Sequence, residues 1–112
     1  MDADETEIFA KPVKLKELVT YQSGAIVSRT LLEKNTGTVT LFAFDQGQAL
    51  SEHTAPYDAM TIVIEGRVNI KIDGRDFLLD EGQMILMPAN KPHALKADTR
   101  FKMILIMIRS NA

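Results

Sequence analysis

The sequence predicts an all-β fold, a sandwich or barrel of short strands. Three observations carry this. After Gly24 the apolar residues never hold a helical period over a full window. Runs rich in branched and aromatic residues are short, with Gly, Pro, Asp or Asn between them. One break, Asp73-Gly74, is a hairpin signal, because both residues accept the positive φ of a two-residue turn. Many short strands in 112 residues suit a single sandwich or barrel domain.

The elements follow in order. Residues 1–7 carry four acids and are expected to be a flexible tail. Residues 8–23 form an arm in which L-K-E-L (15–18) fits one helical turn; it is expected to pack on the barrel or on a partner subunit. The barrel itself is expected over 24–109. I-V-S-R-T-L-L-E (26–33) and T-V-T-L-F-A-F (38–44) flank the turn cluster K-N-T-G and read as a hairpin. M-T-I-V-I (60–64) ends at Glu65-Gly66. V-N-I-K-I (68–72) alternates, with Val68, Ile70 and Ile72 on one face. F-L-L (77–79), M-I-L-M (84–87), H-A-L-K (93–96) and F-K-M-I-L-I-M-I (101–108) complete the strands. Two of them, M-T-I-V-I and M-I-L-I-M-I, are apolar on both faces. Such a strand needs cover outside the barrel, so a homodimer is expected.

Composition excludes several classes. Net charge is −2 with acids and bases interspersed, and no basic stripe exists, so nucleic acid is not an expected partner. No cysteine is present, which removes thiolate metal sites and thiol nucleophiles. The longest apolar run, Met103 to Ile108, is far too short to span a bilayer, and no membrane partner is expected. The acidic start lacks the apolar core of a signal peptide, so the cytoplasm is the expected location. Phosphate loops, dinucleotide fingerprints and nucleophile elbows are absent. Ser51 near His53 lacks a third group and makes no triad.

Two glycine-anchored segments carry a family resemblance. The first is G-Q-A-L-S-E-H-T-A-P-Y-D-A-M-T-I-V-I-E-G (47–66) and the second G-Q-M-I-L-M-P-A-N-K-P-H-A-L-K-A (82–97). Gly47, His53, Gly66, Gly82, Pro88 and His93 fall without a gap on the two motifs of the cupin superfamily. The chain thus resembles a small single-domain, RmlC-like cupin over about half its length. The resemblance implies a cupin-type jelly-roll barrel (a double-stranded β-helix), often dimeric, with a pocket at its mouth.

The departures bear on chemistry. The family's metal set is three histidines and a glutamate. Here Ala55 stands at the second histidine, and Ala59, or Met60 in the longer spacing, at the glutamate. Asn90 replaces a glycine, and Ala97 replaces an asparagine. Alanine donates no electron pair, and two imidazoles alone hold a transition metal weakly. One rescue is open: Pro56 rotating or bulging the strand so that Asp58 turns inward. His53, His93 and Asp58 would then form a two-histidine, one-carboxylate site for a divalent transition metal. Glu52 is a poorer candidate, since a strand neighbour of His53 faces away from it.

The expected ligand pocket comprises His53 and His93 at its floor, with Tyr57, Met60 and Met103. Tyr57 and Asp58 have a second reading as turn residues, with Pro56 setting φ. Met60, Met84, Met87, Met103 and Met107 are expected chiefly as core filling, some of them lining the pocket. Phe42, Phe44 and Phe101 are expected in the core, and Arg29 at a solvated edge or interface. Three functions follow. One is a small-molecule ligand held in an apolar pocket with two histidines and little or no metal. Another is a metal-dependent oxygenase or isomerase. The third is a non-catalytic dimeric sensor or interaction module.

Overall fold

The computed structural model describes residues 8–110. The acidic tail expected over 1–7 lies outside the described residues. Nine strands follow the arm: β1 (Ile26–Lys34), β2 (Gly37–Phe44), β3 (Ala49–His53), β4 (Tyr57–Glu65), β5 (Arg67–Ile72), β6 (Arg75–Asp80), β7 (Met84–Met87), β8 (His93–Ala97) and β9 (Phe101–Arg109). They form a five-stranded sheet, β1-β2-β9-β4-β7, and a four-stranded sheet, β3-β8-β5-β6, antiparallel throughout. This is the expected jelly-roll barrel.

Alternation decides what faces inward. Val68 and Ile70 on β5 are buried, while Lys71 between Ile70 and Ile72 is exposed. From the other sheet come Ala59 and Val63 of β4, and Phe101 and Met103 of β9. Phe44 and Phe101 stack with centroids 4.6 Å apart and close one end of this core. Turn chemistry fits locally. Asp73 (φ 50°) and Gly74 (φ 84°) make the two-residue loop between Ile72 and Arg75. Gly66 (φ 79°) turns β4 into β5 where a Cβ would lie 2.1 Å from the Arg100 carbonyl oxygen, so only glycine fits.

The arm lies on the outside of the five-stranded sheet. Ile8, Leu18, Val19 and Tyr21 pack on Leu31, Leu41 and Ala43, a second apolar cluster separate from the barrel interior. Its L-K-E segment forms a single 3-10 turn, Leu15–Glu17. Polar clasps hold it. The Tyr21 hydroxyl donates to Glu65 Oε2 at 2.6 Å, and burial beside that carboxylate pushes the hydroxyl pKa above its usual range. Lys102 Nζ donates to the Lys16 carbonyl at 2.6 Å and sits 4.9 Å from the Tyr21 ring centroid. Arg29, expected at an edge or interface, donates to the Leu18 carbonyl of the arm.

The arm covers only part of that outer face. Direct pairing places Leu32, Val39, Ile106, Met60 and Leu86 in one row across all five strands. Met84 and Ile62 pair one step along, and Ile108 lies beyond. Leu32, Met84, Leu86 and Ile108 are exposed. Among the described residues, no helix is long and apolar enough to cross a membrane.

Candidate functional site

The site is built on one pairing. His53 on β3 stands directly opposite His93 on β8, and their ring centroids lie 4.3 Å apart with the planes at 68°. Two residue steps on β8, from Leu95 to His93, match three on β3, from Leu50 to His53. The additional β3 residue is a bulge. In a regular strand residues 50 and 53 would face opposite sides. The bulge turns both inward, so Leu50 and His53 line the same cavity, as do Leu95 and His93.

Each ring is tethered to its own strand. His53 Nδ1 lies 2.7 Å from the Ser51 carbonyl oxygen, and His93 Nδ1 lies 3.1 Å from the Lys91 carbonyl oxygen. A carbonyl only accepts, so each Nδ1 carries the hydrogen. Each neutral ring therefore keeps its lone pair on Nε2. His53 is exposed and His93 half-buried. The pair, expected from sequence at the floor of the pocket, sits instead at the mouth of the cavity.

Below the mouth the walls are apolar. β4 contributes Ala59, β7 contributes Met87, and β9 contributes Met103, Leu105 and Met107. Ala55 and Ala59, the positions where the family motif carries its second histidine and its glutamate, both line this cavity. The cavity measures about 50 Å³. Tyr57 lines its rim, and its hydroxyl accepts a bond from Arg109 Nη1 at 3.0 Å.

The pocket residues expected from sequence divide accordingly. His53, His93, Tyr57 and Met103 line the cavity; Met60 does not. β4 keeps unbroken register with β9 from Tyr57 to Val63. Alternation therefore turns Tyr57, Ala59 and Thr61 inward and leaves Asp58 and Met60 on the outer face. The expected rescue by Asp58 fails for the same reason: no bulge follows Pro56, and Asp58 Oδ1 instead accepts from the Ala89 N–H at 2.9 Å. Asp58 and the Asn90 N–H bond to the Ala55 carbonyl (2.9 Å) brace the two motif loops against each other. Asn90, in place of a glycine, does adopt positive φ (65°). Among the described residues no three His, Cys, Asp or Glu side chains come together. The donor set therefore does not fit the family's four-ligand metal. Met84, like Met60, lies on the outer face, while Met87, Met103 and Met107 line the cavity.

Sequence reasoning missed Thr61. It is wholly buried, it lines the cavity, and its Oγ1 has no hydrogen-bond partner among the described residues. The signal was present, since Thr61 shares a strand face with Ala59 and Val63 inside an otherwise apolar run.

Burial holds the His93 imidazole below its usual range; the Lys91 carbonyl opposes this and the nearby His53 adds to it. The unfolded chain then takes up this proton first as pH falls. The contribution to stability is intact above the unfolded value of about 6.5 and is lost as pH drops through the lower folded value. In an imidazole NMR titration, His93 is expected to titrate below its value in urea-unfolded protein. The urea midpoint is expected to fall from pH 7.5 to pH 5, less steeply in His93→Gln. A His93 that titrates at or above the unfolded value would contradict this.

Comparison with known proteins agrees with this architecture. The Cupin domain family profile matches residues 40–109. A conserved protein of unknown function from Streptococcus pyogenes superposes with a TM-score of 0.87 at 37% identity, over 92% of this chain and 90% of that one. A cupin superfamily protein from Desulfitobacterium hafniense gives 0.86 at 26% identity, over 90% and 93% of the two chains. A cupin 2 conserved barrel domain protein from Leptotrichia buccalis gives 0.81 at 40% identity, covering 84% of this chain and 46% of that longer one. No curated protein matches the chain. With the fold, the paired motif segments and the profile in agreement, the chain belongs to the cupin domain family.

Proposed function

We propose that this cupin binds a small organic molecule in the cavity below His53 and His93, without a resident metal. One observation carries the reading: the alanines at the two missing ligand positions face the same cavity as the surviving histidines. Where metal-binding chemistry would place an imidazole and a carboxylate, this chain places two methyl groups. The result is a largely apolar chamber with two imidazole acceptors at its entrance. Such a chamber gains binding energy from apolar contact and orientation from a few polar atoms. Met87, Met103 and Met107 make the walls adaptable, because unbranched thioethers repack around varied shapes. The metal-dependent reading has less support, since Asp58 is committed to the Ala89 N–H on the other side of its strand.

The partner we propose is a second copy of this chain. The uncharged row from Leu32 to Leu86 crosses five strands, roughly 19 Å at the usual strand spacing. A twofold axis would set the same apolar row of a second copy against this one, as an isologous interface does. The arm's cluster reaches Val39 within the row, and Leu32 and Leu86 at its two ends are exposed.

Metal analysis tests the first claim. Protein purified without added metal is expected to hold far less than one equivalent. The double variant Ala55→His with Ala59→Glu is expected to take up a divalent transition metal near stoichiometrically. Wild-type protein that copurifies with a full equivalent, lost in His53→Ala, would overturn the reading. For the partner, sedimentation is expected to give a dimer that Ile106→Lys converts to a folded monomer; a monomeric wild-type protein would refute it.

A further inference from the structure

Thr61 is the polar group in the cavity to which the architecture gives no bond. It is 0% exposed, and its Oγ1 has no partner among the described residues. Thr38 also has an unpartnered hydroxyl, but it does not line the cavity. Leaving a buried hydroxyl unpaired costs about 1–3 kcal/mol. Valine has nearly the same shape and would avoid that cost. The groups around Thr61 offer nothing to bond: it pairs with Leu105 on β9 and Ile85 on β7, and Ala59 and Val63 are its inward neighbours on β4. Thr61 lines the cavity but has no accessible surface in the empty protein, so an occupant that bonds its hydroxyl must part the lining around it.

The rest of the lining constrains that occupant. No Lys, Arg, Asp or Glu lines the cavity, so an anion carried to Thr61 would be buried without a counter-charge. At the mouth, the Tyr57 hydroxyl is engaged by Arg109, and the two histidines offer Nε2 lone pairs. The volume, about 50 Å³, is a third of the roughly 150 Å³ that accommodate benzene in an engineered apolar cavity. The buried part of the occupant is thus a few heavy atoms.

Building on the pocket reading above, we propose that Thr61 Oγ1 is the inner anchor for a small uncharged ligand with hydrogen-bonding groups at both ends. Its leading oxygen or nitrogen bonds Thr61. Its short apolar middle lies against Met87, Met103 and Met107. A trailing hydroxyl or N–H donates to an Nε2 at the mouth. Hydroxy ketones and small hydroxy amides belong to this class; carboxylates of the same size do not.

Methyl NMR titration with two three-carbon probes, neutral hydroxyacetone and anionic lactate, tests this at pH 7.5. Hydroxyacetone is expected to shift the Met87, Met103, Met107 and Thr61 methyls saturably and leave Met84 unmoved, while lactate shifts none. Thr61→Val is expected to weaken hydroxyacetone roughly three- to tenfold, the worth of one neutral hydrogen bond, and to raise the urea midpoint. Thr61→Ser keeps the hydroxyl and is expected to retain binding. If hydroxyacetone binds and is lost in His53→Ala but not weakened in Thr61→Val, the anchor is wrong and the pocket reading survives. Lactate binding as tightly as hydroxyacetone would also overturn the proposal. If hydroxyacetone moves no cavity methyl in the wild-type protein, the anchor and the pocket reading fall together.

Discussion

The register of β3 against β8 is the constraint on which the site depends. One additional residue between Leu50 and His53 places both on the inner face of the barrel. Without it, either the imidazole or the leucine would point to solvent. Because β3 is an edge strand, the bulge disturbs a single ladder. The carbonyls of Ser51 and Lys91, two residues before each histidine, then fix which nitrogen carries the hydrogen. Backbone geometry thus decides both where the rings sit and which lone pairs they offer.

The cavity follows from a second constraint, alternation on β4. Unbroken pairing with β9 puts Tyr57, Ala59 and Thr61 inside and Asp58, Met60 and Ile62 outside. The inner set yields a rim aromatic, a small wall residue and a buried hydroxyl. The outer set yields a loop brace and two members of an apolar surface. One strand therefore contributes to both the ligand chamber and the face that a second copy would cover.

Much of the architecture was legible in the sequence. The Asp73-Gly74 turn, the β1–β2 hairpin and the alternation of β5 are local signals, and each matches the structure. β3 was not legible as a strand from composition. A-L-S-E-H has no β-branched residue, and four of its five residues are exposed, so its pairing with β8 holds it extended. The rescue open to Asp58 needs Pro56 to rotate or bulge its strand; the bulge lies instead before His53, as β4 is pinned between two neighbouring strands and β3 has only one. The cover for the doubly apolar strands was expected from a partner; the arm supplies part of it through Val19 and Tyr21. Which outer residues the arm covers depends on contacts distant in sequence, which no local pattern reveals.

Direct observation of the histidine tautomers at neutral pH tests the account most squarely. Long-range nitrogen–proton correlation reads, for each imidazole, which nitrogen bears hydrogen. The account predicts that the neutral form of both His53 and His93 is protonated at Nδ1, with Nε2 bare. Hydrogen on Nε2 of either ring would mean that the carbonyl tethers do not exist and that the entrance to the cavity offers donors where acceptors are required.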